Sequence, residues 1–122
     1  MQPHRLLIVD DDPNVREALS RWFSMRGFHV TVAVDGLDAL DKCRHAEYDL
    51  ITLDLEMPRL SGLDAIEPIR ELQPDATIVV LTGYAQDSDA ALMRGAAKIL
   101  LKPLRLTQLE EELLDAMAAR QA

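Results

Sequence analysis

The chain has a single cysteine among its 122 residues, Cys43. That excludes an internal disulfide and any multi-cysteine metal site, and it suits a reducing cytoplasm. Histidine is scarce as well. His4, His29 and His45 share no metal-like spacing; they read as surface or strand-edge residues, and Cys43 as a small, partly buried helix residue. No apolar run approaches the roughly 18 residues that would span a bilayer, so no membrane association is expected. A secretory leader is not expected either, because only four apolar residues follow His4-Arg5 before an acidic cluster begins. Basic residues are in deficit: 13 Lys and Arg against 21 Asp and Glu leave a formal net charge of −8. Phosphate binding draws on clustered Lys and Arg, so this domain is not expected to hold DNA or RNA by itself, and a protein or a cation is the expected partner. Linkers, repeats and low-complexity stretches are absent too. Residues 1–122 therefore read as one domain, long enough to bury roughly two-thirds of the surface its unfolded chain would expose.

Five strand-like runs alternate with five helical ones. The strands are expected near 5–9, 29–34, 48–53, 76–81 and 97–101. The first helix is expected to start at Asp12, with Pro13 in the first turn where its missing N–H is harmless, and to stop at Gly27. Val15, Leu19, Trp22 and Phe23 give it an apolar stripe at helical spacing; Trp22 reads as core or rim packing. Asp35-Gly36 turns the chain into a second helix, and Met57-Pro58 with Gly62 forms a loop before a third that runs to about Leu72, ahead of Pro74. In the last helix, Thr107 and Glu110 have the spacing of a capping box, and Leu109, Leu113, Ala116 and Met117 form a buried face. Strands joined by right-handed helical crossovers give a three-layer α/β/α sandwich around a parallel sheet.

Charged residues stand at the ends of the apolar runs. Asp10 and Asp11 follow Leu6-Leu7-Ile8-Val9, Asp54 follows Leu50-Ile51-Thr52-Leu53, and Lys102 follows Ile99-Leu100-Leu101. Open parallel sheets bind ligands outside the carboxyl ends of their strands, so these groups should converge. One Asp at a strand end is more often a turn or a cap; the joint occurrence shifts the balance. Two unit charges about 5 Å apart repel by about 3 kcal/mol at an effective dielectric of 20, which makes three carboxylates in one pocket costly without a cation. Lys102 offsets one charge, and a divalent metal held by oxygen ligands, Mg²⁺ (or Mn²⁺), offsets two. Such a site beside a carboxylate nucleophile suits phosphoryl transfer. Thr82, in Val79-Val80-Leu81-Thr82-Gly83, would face the same pocket, with Gly83 keeping the backbone accessible.

In order and placement these residues resemble the receiver domain of two-component response regulators. The motifs are Val9-Asp10-Asp11-Asp12-Pro13, Leu53-Asp54-Leu55-Glu56-Met57-Pro58 with Gly62, Leu81-Thr82-Gly83, Gly95-Ala96 and Lys102-Pro103. The resemblance covers nearly the whole chain. It implies a flavodoxin-like fold, a five-stranded parallel sheet in the order 2-1-3-4-5, an order general knowledge of this fold already supplies. It further implies that Asp54 is the phospho-acceptor, charged by a sensor histidine kinase or a histidine phosphotransfer protein to form an acyl phosphate. Asp11, the Asp54 carboxylate and the Glu56 backbone carbonyl would hold Mg²⁺, with Asp10 acting through the metal's waters. Lys102 would pair with Asp54 and then with a phosphate oxygen, Thr82 would be the switch hydroxyl, and the Lys102-Pro103 bond would be cis. Glu56 and Tyr84 would tune how readily water reaches the acyl phosphate.

The chain departs from that pattern in its fourth and fifth units. Ile99 stands where most receivers have Tyr or Phe, Leu104 stands where Phe is common, and the stretch from Thr82 to Lys102 is about two residues short, roughly half a helical turn. The fourth helix should then be short or irregular, and Tyr84 is the residue placed to substitute for the missing aromatic in an output through a non-standard surface. Three alternatives have definite signatures. A haloacid-dehalogenase-type Mg²⁺ phosphatase would carry its nucleophile on the first strand; a flavin-binding module would have a Ser-, Thr- and Gly-rich loop where Asp10-Asp11-Asp12 stand; a degenerate receiver used as a scaffold would lack part of the acidic pocket. The downstream partner, a separate protein or a fused output domain, is not legible, and the amphipathic last helix is compatible with a homodimer.

Overall fold

The computed structural model of the protein describes residues 3–57, 59–83 and 87–121. Five strands alternate with five helices: β1 Arg5–Val9, α1 Pro13–Met25, β2 His29–Ala33, α2 Gly36–His45, β3 Leu50–Asp54, α3 Gly62–Leu72, β4 Thr77–Thr82, α4 Ser88–Met93, β5 Lys98–Leu101 and α5 Leu106–Gln121. The expected strand ends are met to within about two residues. All pairings are parallel, in the order β2-β1-β3-β4-β5.

Alternation along each strand sorts the core into two layers. Leu7, Val9, Ile51, Leu53, Ile78 and Val80 face Ala39, Leu40 and Cys43 of α2, Ala65, Ile66 and Ile69 of α3, and Ala91 of α4. Their neighbours Leu6, Ile8, Leu50, Val79, Leu81 and Leu100 face Leu19 and Phe23 of α1 and Leu109, Leu113, Ala116 and Met117 of α5. β1, β3 and β4 are covered on both faces, and for that reason their sequences are nearly continuous apolar runs rather than alternating ones.

Three helix starts follow from side-chain caps. Asp12 accepts from the Asn14 N–H at 2.9 Å, Asp35 from the Asp38 N–H at 2.8 Å and Ser61 from the Asp64 N–H at 3.2 Å; such a cap is worth about 1 kcal/mol. The capping box expected from Thr107 and Glu110 does not form. α5 begins one residue earlier, at Leu106, and the Arg105 carbonyl accepts its first bond from the Leu109 N–H at 2.9 Å. Glu110 instead accepts from Arg26 Nε at 2.9 Å and Trp22 Nε1 at 3.2 Å. Two donors, Trp22 on α1 and the charged Arg26 just after it, outcompete one backbone N–H, and Leu106 joins the α1/α5 core layer.

The fourth helix is short, six residues, as the compressed spacing predicts. Its C-terminal end is tied to α3. Arg94 Nη1 donates to the Leu63 carbonyl at 3.2 Å and to Asp64 Oδ1 at 3.0 Å, and Arg70 Nη2 donates to the Gly95 carbonyl at 3.0 Å. The Lys102-Pro103 bond is cis. No helix among the described residues is long and apolar enough to cross a membrane.

Candidate functional site: an acidic cleft at the carboxyl edge of the sheet

Strand register brings the charged residues together. Val9 lies opposite Leu53 and Ala33, Asp54 opposite Leu81, and Thr82 opposite Leu101. Asp10, Asp54, Thr82 and Lys102 therefore reach one rim of the sheet from four strands. The cleft there has a volume of about 460 Å³ and is lined by Asp10, Asp11, Asp12, Val15, Asp54, Glu56, Gly83 and Lys102. A more apolar groove between α1 and Leu106 carries none of this chemistry.

Asp10 and Asp54 are buried, whereas Asp11 is exposed. One carboxylate oxygen from each of the three lies within 4.8 Å of the others. Opposed ligands of a single Mg²⁺ at about 2.1 Å stand about 4.2 Å apart, so small side-chain shifts let the trio share one hard cation. The donor set, all oxygen without His or Cys, fits Mg²⁺ or another hard divalent ion. Lys102 Nζ sits 3.2 Å from Asp10 Oδ2 and 3.6 Å from Asp54 Oδ2. It serves both buried carboxylates, the nearer being Asp10 rather than the Asp54 partner that the family resemblance implies.

The backbone holds these groups in place. Asp10 Oδ1 accepts from the Asp12 N–H at 2.9 Å, and Asp54 Oδ1 from the Glu56 N–H at 3.0 Å. Burial pushes the Asp54 carboxyl above its ordinary range; the Glu56 amide and Lys102 pull it down, and the charges of Asp10 and Asp11 add to the rise. For Lys102, burial works against the ammonium, but Asp10 and then Asp54 outweigh it and hold its pKa above the ordinary value. Thr82 is buried, and its Oγ1 donates to Glu56 Oε1 at 3.3 Å.

Of the residues singled out from the sequence, Asp10, Asp11, Asp54, Glu56, Thr82, Gly83 and Lys102 meet at this cleft. Ile99 does not: it is partly buried on β5 and packs against the α2/α3 core layer. Pro103 follows the cis bond at an exposed position, and Tyr84 lies outside the described residues. Sequence reasoning missed Arg16, whose Nη1 donates to the Asp10 carbonyl at 2.8 Å. The available signal was a basic residue in the first turns of α1, where the helix dipole disfavours it and a specific acceptor is needed in compensation.

The family model for the response regulator receiver domain matches residues 6–114. The chain belongs to that family. It is 43% identical over 119 residues to the response regulator MprA of Mycobacterium sp. (strain KMS), an alignment covering 96% of this chain and 50% of that protein. The receiver thus spans about half the length of the curated relatives it matches. Among solved structures it resembles a response regulator from Burkholderia pseudomallei with a phosphorylated aspartic acid, a calcium ion and citrate, with a TM-score of 0.87 and 33% identity over 97% of this chain and 71% of that one. It also resembles the response regulator TrrA of Thermotoga maritima in complex with Mg²⁺-BeF, with a TM-score of 0.83 and 36% identity over 93% and 98% of the respective chains. As a receiver it is a signalling module of the two-component type. Its Asp54 ends the third strand, not the first, which leaves the haloacid-dehalogenase alternative without support.

Proposed function

We propose that Asp54 accepts a phosphoryl group in a Mg²⁺-dependent reaction and that the resulting acyl phosphate moves the receiver between inactive and active states. The observation that carries this reading is a buried Asp54 whose carboxylate shares a cleft with two further carboxylates and lies 3.6 Å from the Lys102 ammonium. A carboxylate oxygen of Asp54 attacks phosphorus, the P–N bond of a donor phosphohistidine breaks, and the imidazole leaves with the bonding pair. Asp11, Asp54 and the Glu56 backbone carbonyl would hold the Mg²⁺ (or Mn²⁺), with Asp10 acting through its waters. The bound ion neutralises charge on the transferred group.

The chain's own groups do the rest. The Glu56 amide fixes one oxygen of Asp54, leaving the other for attack. Lys102 exchanges Asp54 for a phosphoryl oxygen, and Thr82 exchanges Glu56 for another. The domain, residues 1–122, catalyses only its own phosphorylation and dephosphorylation and turns over no separate substrate. Its donor is a sensor histidine kinase or a histidine phosphotransfer protein in the cytoplasm, and its output passes to a downstream protein or a fused domain. With Ile99 in place of an aromatic on β5, the receiver's output face differs from the usual one, and a homodimer is one form it can take. Incubation with a phosphohistidine donor should label the wild-type chain and leave Asp54→Asn unlabelled; equal labelling of the variant would remove Asp54 from its role.

A further inference from the structure

Three carboxylates are buried among the described residues, and two of them, Asp10 and Asp54, belong to the acidic cleft. The third, Asp35, is 5% exposed and the chemistry above leaves it unused. Its Oδ1 caps α2, and its Oδ2 accepts from Arg59 Nε at 2.5 Å. Arg59 lies in the loop between β3 and α3, five positions after Asp54, with a φ of 66°. Few residues with a Cβ adopt that left-handed backbone without an external hold, and the Asp35 carboxylate supplies one.

The same loop is pressed against its surroundings at two further points. A Cβ on Gly36, the first residue of α2, would lie 2.5 Å from the Leu60 carbonyl oxygen, and a Cβ on Gly62 would lie 2.0 Å from the Asp54 carbonyl oxygen. The Gly62 N–H also donates to the Leu55 carbonyl at 3.1 Å. The loop is thus strapped to Asp54 at its far end and to the start of α2 in its middle. Between these ties lies Glu56, whose amide fixes Asp54 Oδ1 and whose carboxylate accepts from Thr82.

We propose that the Asp35–Arg59 ion pair is a positioning element for the phospho-acceptor site, fixing the loop after β3 so that the Glu56 backbone stays in register with Asp54. This rests on the reading of Asp54 and the Glu56 carbonyl given above. Neither member of the pair touches the reacting atoms. Both act through the loop, and the quantity they control is how well the cleft is organised for the cation. Partners that orient a metal's ligands from outside typically account for 10- to 100-fold in metal affinity or activity.

The test uses the full chain with Asp35→Asn, Arg59→Gln and the double variant. Asparagine caps a helix about as well as aspartate, so the first change removes the ion pair and spares α2. Initial rates of phosphorylation by acetyl phosphate are measured by intact mass across a Mg²⁺ titration, and Mg²⁺ binding by calorimetry. The expected result is a roughly tenfold rise in half-saturating Mg²⁺ for each single variant, with the rate at saturating Mg²⁺ within about twofold of wild type. The double variant should be no worse than either single, and Arg59→Lys should recover part of the loss. Unchanged half-saturation in both singles, or effects that multiply in the double variant, would overturn the proposal. A wild-type chain that binds Mg²⁺ yet takes no phosphoryl group would instead overturn the reading of Asp54, and the calorimetric comparison would still decide the pair.

Discussion

Replacing Asp54 by Asn should make the metal-free protein more stable while abolishing its chemistry. At an effective dielectric of 20, a carboxylate oxygen within 4.8 Å of another is repelled by at least about 3 kcal/mol, and the attraction to an ammonium 3.6 Å away is about 5 kcal/mol. Asp54 thus feels Asp10 at close to full strength, Asp11 reduced by its exposure, and Lys102 in the opposite direction. Burial of the carboxylate decides the sign, and the raised pKa of Asp54 expresses it. A neutral amide escapes the burial penalty and the repulsion but forgoes the Lys102 contact, for a net gain of about 2 kcal/mol. For a domain of this size that corresponds to a rise in melting temperature of about 8 °C. Because the folded-state pKa lies above the ordinary 3.8, the wild-type deficit is full above the folded pKa and vanishes as pH falls through it toward the unfolded value. Thermal melts without divalent ions, at pH 7 and near pH 4, read this directly: the advantage of the variant should be large at the first and shrink at the second. An Asp54→Asn melting temperature equal to or below wild type at pH 7 would refute the electrostatic reasoning.

Mg²⁺ should raise the wild-type melting temperature by mass action on the folded state, and in Asp11→Ala the rise should shrink markedly; equal rises would place the cation elsewhere. Thr52 Oγ1 is buried in β3 with no hydrogen-bond partner among the described residues, so Thr52→Val should stabilise the protein by about 1 kcal/mol in denaturant titration, and a loss of that size would show that the hydroxyl is satisfied. Gly62→Ala should prevent native folding or lower its midpoint severely, since the added methyl would sit 2.0 Å from a backbone oxygen; circular dichroism melts check it. The Cys43 thiol, buried in α2 and pushed up to about 11, should resist alkylation at pH 8 until the protein unfolds, which a timed iodoacetamide reaction would reveal.

Most of the fold was legible because its signals are local and periodic. Apolar runs bounded by Asp10 and Asp54 mark strands covered on both faces, the run before Lys102 marks an edge strand, and Asp12-Pro13 marks a helix start that the Asp12 cap realises. The cleft was legible for a related reason: parallel register carries the residue after each strand to the same rim. Features that depend on which distant partner wins were not legible. Glu110 has the spacing of a cap but is taken by Trp22 and Arg26 some 84 to 88 positions away. Lys102 divides its charge between Asp10 and Asp54, a balance of distances that spacing does not encode. Asp35 reads as a turn residue before Gly36, and nothing in the sequence pairs it with Arg59, 24 positions later. Side chains that bind across the molecule are fixed by packing, and periodicity carries no record of their choice.

The most direct measurement is intact mass after incubation with acetyl phosphate, with and without Mg²⁺, followed by mapping of the modified residue. The account predicts one phosphoryl adduct, dependent on Mg²⁺ and located on Asp54. An adduct on another residue, or one formed equally well without a divalent ion, would contradict it.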